Sequence, residues 1–259
     1  MNLKKLISFI SIITFALILP FTSLQAGEQS ARDIPDTNVI QIDQMDFDSA
    51  SYQSAIESRD SLSKLAKAQS QVGLEDASMG FSAKSDEAKF FLIGSLYSET
   101  LALLQGGEMN AAADRLQLIE NQFIVLQAPS SLYSYISKVR TCIALEKYSK
   151  EALLDMLSLF QPFFEDYAVS LSQDKQALFR AGSWLMDMSL TAAAEDKELI
   201  TQAKPQLAYF IKEMRRINAP KSVLKAYDDI SKIADKDEIQ DKDVKKVLKQ
   251  IKKIQTILG

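Results

Sequence analysis

The sequence predicts an all-α protein: two tandem four-helix repeat units, forming a helical bundle or a short α-solenoid, preceded by one helix and a disordered acidic N-terminal segment. Three observations carry this. Part of the chain occurs twice: Phe91-Leu-Ile-Gly-Ser-Leu96 returns as Phe179-Arg-Ala-Gly-Ser-Trp184, and Ala128-Pro129-Ser-Ser131 as Ala219-Pro220-Lys-Ser222. Glycine and proline are scarce, 8 and 6 in 259 residues, as suits long helices. Apolar residues recur every three or four positions over long stretches, the period of a helix with one buried face.

Residues 1–26 read as a secretory signal peptide. Lys4 and Lys5 form the positive end, Leu6 to Phe21 the apolar run broken by Pro20, and Thr22 to Ala26 a small and polar stretch before Gly27. The run is short for a spanning helix, which needs about 20 apolar residues; an uncleaved anchor is the competing reading. The expected location is outside the cytoplasm, in the periplasm or beyond. Residues 27–48 form an acidic linker with Asp33, Asp36, Asp43, Asp46 and Asp48, and one possible short strand at 39–42. Residues 49–84 supply a first helix over about 50–71, ending near Gly73, and an irregular connector over 74–82.

The first repeat unit spans 85–172. Helix A (86–105) carries Phe90, Ile93, Tyr97, Leu101 and Leu104 in phase and stops at Gly106-Gly107. Helix B (108–127) carries Leu116, Ile119, Phe123 and Leu126. Pro129 ends it, and Ser130 or Ser131 is the expected cap of helix C (132–146). Ser149 caps helix D (150–171), which Pro162 kinks or splits. The second unit, 173–259, repeats these steps: helix A′ over 174–194, B′ over 197–218 with a kink at Pro205, C′ over 223–234 capped by Ser222, and D′ over 242–258 capped by Asp241. The A helices align at an offset of 88 residues, B and C at 91, D at 92. Gly94 and Gly182 fall in mid-helix, where glycine costs about 1 kcal/mol relative to alanine, so both predict a close helix–helix approach.

The chemistry of the chain is sparse. There is no histidine, which excludes Ser-His-Asp and Cys-His catalysis and the Glu-x-x-His di-iron sites of helical bundles. No phosphate-cradling glycine loop or dinucleotide fingerprint occurs. Cys142 aligns with Ile233, so it reads as a small buried hydrophobe, and as the single cysteine it makes no internal disulfide. The aspartates of 33–48 lack the ligand rhythm of a calcium loop. No cofactor, metal ligand set or catalytic residue is expected, and an enzyme working through two carboxylates alone has no pair to point to.

Two features are candidate contacts. On helix A′, Arg180 and Trp184 stand where the first copy has Leu92 and Leu96, with Asp187 a turn further on. An arginine and the single tryptophan appearing together on one face suit a ligand or partner contact; the structural alternative is a packed tryptophan with the arginine stem lying along it. On helix D′, Lys245, Lys246, Lys249, Lys252 and Lys253 oppose the apolar arc of Val244, Val247, Leu248, Ile251, Ile254 and Leu258, a pattern that suits an anionic membrane surface or an acidic partner, or else a terminal helix with its apolar face in the core and a solvated lysine face. Without Lys4 and Lys5 the chain holds 28 basic and 34 acidic residues, a net −6 that does not suit nucleic acid. The function expected is a non-enzymatic binding or scaffold module of the cell envelope with a protein partner. The alternative is a periplasmic small-molecule binding domain with a pocket between helices.

Overall fold

A computed structural model of the chain describes residues 85–259. The expected leader (1–26), acidic linker (27–48), and first helix with its connector (49–84) lie outside the described residues. The described residues are all-helical, with no strand among them.

Helix α1 (Asp86–Gly106) starts where Ser85 is extended and its hydroxyl accepts the Ala88 N–H at 3.1 Å. It stops at Gly107, whose φ of 86° turns its N–H back onto the carbonyls of Leu103 and Leu104. Helices α2 (Met109–Val125) and α3 (Ser130–Ala144) follow. The capping serines of the sequence reading are corrected here. Pro129, at φ −53° and ψ 135°, occupies the N-cap of α3, and Ser130 is already helical. Proline is pre-set for that entry and has no N–H to leave unpaired. Pro220 does the same for α9 (Lys221–Ala234), which places Ser222 inside the first turn.

The fourth helix is two helices, α4 (Lys150–Ser158) and α5 (Phe160–Leu171), joined at Leu159. Ser149 caps α4 through the Ala152 N–H at 3.3 Å. Pro162 offers no N–H to the Ser158 carbonyl and its ring crowds that oxygen, which accounts for the break. After α6 (Gln173–Ala193), Pro205 divides B′ in the same way into α7 (Lys197–Gln202) and α8 (Lys204–Arg216). Helix α10 (Asp241–Leu258) is capped by Gln240, whose N–H in turn reaches the Asp243 carboxylate at 3.2 Å; Asp241 is its first helical residue rather than its cap. With Ser149 and Gln240 as matching caps, the D helices align at 91 residues, not 92. That register pairs buried Leu153 with Val244 and buried Phe160 with Ile251.

Within 85–172 the helices alternate in direction. The Lys150 ammonium donates to the Gln105 carbonyl, which places the start of α4 at the end of α1. The Tyr167 hydroxyl donates to the Leu126 carbonyl, which places the end of α5 beside the end of α2. Two pairs of left-handed residues match between the halves, Gln127 (φ 54°) with Asn218 (φ 55°), 91 residues on, and Gly107 with Glu195 (φ 56°), 88 residues on, whereas Glu146 (φ 49°) has no left-handed counterpart at Asp237.

The halves 85–172 and 173–259 meet chiefly along α1 and α6. A Cβ added to Gly94 would lie 1.9 Å from the Phe179 carbonyl oxygen, and one added to Gly182 would lie 1.9 Å from that of Phe91. The contact is thus reciprocal, and only hydrogen atoms fit there. Ser95 Oγ lies 3.1 Å from the Gly182 carbonyl, Ser98 bonds to Asp187, and Ala102 packs with Leu190. These contacts climb both helices together, so α1 and α6 run parallel. The phenylalanines are exchanged: Phe91 packs into the core of 173–259 and Phe179 into that of 85–172. Full burial of each contributes about 1.5–3 kcal/mol.

Candidate functional site

The three residues singled out on helix A′ occupy different surroundings. Trp184 is 4% exposed. Its ring lies 5.0 Å from that of Phe210 and 6.0 Å from that of Tyr227. The matching positions of the first half hold Leu96, Ile119 and Ile136, so three aliphatic-to-aromatic changes meet in one core. Tyr227 carries a price for this: its hydroxyl is buried with no hydrogen-bond partner, and burial pushes its pKa upward.

Arg180 ties three helices together. Its Nε and Nη2 donate to Glu165 Oε2 of α5 at 2.8 and 2.5 Å, and its Nη1 donates to the Tyr209 hydroxyl of α8 at 3.2 Å. Both partners of the ion pair are nearly enclosed, at 12% and 7% side-chain exposure. Burial works against the charge on Arg180, but the Glu165 carboxylate and Tyr209 outweigh it and hold the guanidinium above its ordinary pKa. An arginine committed in this way acts as a strut.

Asp187 lies on the α1–α6 seam. Its Oδ1 accepts from the Ser98 hydroxyl of α1, while its Oδ2 is shielded from solvent with no hydrogen-bond partner. Burial raises its pKa to about 7 against the opposing effect of Ser98. The matching acid of the first half, Glu99, is paired with Arg115 of α2 at 2.9 Å. Where that arginine would be in the second half stands Gln206.

The lysines of α10 are placed as the spacing implied. Lys245, Lys249, Lys252 and Lys253 are exposed, and Val244, Val247, Ile251 and Ile254 are buried. The half that carries them is basic, 17 Lys and Arg against 13 Asp and Glu, while 85–172 is acidic, 6 against 11.

Exposed apolar side chains that the sequence reading missed lie on the first half. Ile124, Val125, Leu145, Leu159 and Phe163 are 50–61% exposed. At the matching positions the second half places Arg215, Arg216, Lys236, Gln250 and buried Ile254. Tyr135 and Tyr148 are exposed on the same half, and Tyr135 packs edge-on against Phe160 at 4.4 Å. The signal that finds these side chains is the comparison of copies applied to helices B, C and D as well as A. An open groove of about 590 Å³ runs along α3, lined by Glu120, Tyr133, Tyr135, Lys138, Cys142 and Met156. Cys142 is thus only partly buried.

Among the described residues no cluster of acidic and cysteine side chains could hold a metal ion, and no helix is long and apolar enough to cross a membrane. Comparison with protein-family models, curated proteins and solved structures finds no match.

Proposed function

We propose that this chain is a non-enzymatic, exported binding or scaffold module of the cell envelope, built from two tandem copies of a four-helix unit, of which the first copy holds the partner. One observation carries the reading: Leu145 and Leu159 stand exposed on 85–172 at positions where 173–259 has Lys236 and Gln250. Two copies of one unit share the same folding requirements. Apolar side chains left exposed in one copy and replaced by polar or buried ones in the other therefore answer a need outside the core. Leu145, Leu159 and Phe163 would form the apolar centre of the contact, with Tyr135 and Tyr148 beside them as aromatic anchors. The leader 1–26 supports export.

Capture from an envelope extract tests this. The wild-type chain is expected to retain a discrete protein that the double variant Leu145→Lys, Leu159→Gln does not; these are the second copy's own residues. Equal capture by both would count against the reading.

The lysine face of α10 supports a second contact, with an anionic membrane surface, in which Lys245, Lys249, Lys252 and Lys253 would lie over acidic headgroups. Nucleic acid is not a proposed partner, because the chain as a whole is acidic. The small-molecule alternative finds its support in the groove along α3 rather than in Arg180 and Trp184, since its volume falls in the usual range for ligand sites. A thermal shift on ligand addition that disappears in Tyr135→Ala would favour it.

A further inference from the structure

The ends of the two halves differ where the chain enters each one. In the second half, Arg216 at the end of α8 reaches Asp174 at the start of α6 at 2.5 Å and donates to the Gln173 carbonyl at 3.3 Å. Arg215 beside it lies 3.8 Å from Asp228. That end is closed by charge and faces water. The matching end of the first half has Asp86 paired with its own neighbour Lys89 at 2.9 Å. Ile124 and Val125, 50% and 61% exposed, stand where the two arginines would be. Val169 and Leu171, 41% and 46% exposed, add to the same end, because Tyr167 packs on Phe123 and Phe90 and brings the end of α5 beside the end of α2 and the start of α1. Four large exposed apolar side chains therefore stand at the end of the half at which the chain arrives at Ser85.

What arrives also differs. The second half is entered through the single residue Ser172 directly from α5, so no further chain is left to cover its end. The first half is entered by a long stretch in which Tyr52, Ile56, Leu62, Leu65 and Ala66 share one side at helical spacing, with Arg59 among them and Glu57, Asp60, Lys64 and Lys67 on the other side. Residues 72–84 join that stretch to α1 and can span up to about 43 Å, more than the roughly 31 Å length of α1. The apolar end coincides with the arrival of an amphipathic segment, and the charged end with the absence of one. From this we infer that residues 50–71 dock as an amphipathic helix on the end formed by Ile124, Val125, Val169 and Leu171. The contact is separate from the Leu145–Leu159–Phe163 surface and does not depend on the partner reading.

Hydrogen exchange on the chain, purified as the cell accumulates it, tests the inference. Amides of 50–71 are expected to exchange at least about tenfold more slowly than an unstructured chain, at a rate independent of protein concentration. Replacing Ile124 and Val125 by arginine, as in the second half, is expected to remove that protection and leave 85–259 unchanged; Leu171→Lys is expected to weaken it in the same way. Free exchange of 50–71 in the wild type would overturn the inference, as would protection that survives all these substitutions. Protection that grows with protein concentration would also overturn it, because it assigns the apolar end to a second copy of the chain.

Discussion

At the scale of the residue, two buried polar groups lack what their surroundings would need. The Tyr227 hydroxyl is enclosed beside Trp184 and Phe210 without a partner. Such a group costs about 1–3 kcal/mol, so Tyr227→Phe is expected to stabilise the fold by about 1 kcal/mol in chemical denaturation; a loss of stability would mean that the hydroxyl has a partner. Asp187 has the Ser98 hydroxyl but no cation, and its pKa stands at about 7 against an ordinary 3.8. Between these values the native state holds a proton that the unfolded chain has released. Stability is therefore full below about pH 4, falls as pH rises towards 7, and levels off above. At one pKa unit per about 1.4 kcal/mol, the loss is on the order of 4 kcal/mol. Asp187→Asn is expected to flatten that slope and to be more stable than wild type at pH 8, measured as denaturation midpoints across pH. An unchanged slope would contradict the assignment. The tryptophan shows the limit of single-helix comparison: Trp184 against Leu96 suggests a contact site, whereas Phe210 against Ile119 and Tyr227 against Ile136 show a core rebuilt around a larger ring.

At the scale of the element, much was written in the sequence. The spacing of Phe90, Ile93, Tyr97 and Leu101 placed α1, Gly107 ended it, and Pro162 and Pro205 divided their helices. The misplaced caps share one cause. Serine and aspartate are good caps only when they stand just before the first helical residue, and Pro129, Pro220 and Gln240 hold those places. The outward position of Leu159 and Phe163 was not legible, because it follows from how the chain turns at Leu159 between α4 and α5. The mid-helix glycines were legible as a pair, and their reciprocal contact explains both. In an isolated helix Gly94→Ala would stabilise by about 1 kcal/mol. Here it is expected to destabilise by about 2–3 kcal/mol or more, because the methyl group would push the backbones of α1 and α6 apart. Gly182→Ala is expected to match it within error. A stabilising result for either would mean that the seam is looser than the contact distances imply.

At the scale of the whole molecule, two halves with matching helices, turns and buried positions present different surfaces. The first is acidic and keeps apolar side chains in the open; the second is basic and has Arg215, Arg216, Lys236, Gln250 and buried Ile254 at the same places. Exchange of Phe91 and Phe179 across the α1–α6 seam joins the cores. Lys249→Glu with Lys253→Glu is expected to lower binding to vesicles containing acidic lipid by tenfold or so while leaving capture of the protein partner intact. An equal loss of both would merge the two surfaces into one. The central claim, that the first half holds the partner through its apolar surface, is tested most directly by site-specific photocrosslinking in the host. A crosslinker placed at Phe163 is expected to give one discrete protein adduct, and the same group at Gln250 none. No adduct from Phe163, or equal adducts from both positions, would contradict the account.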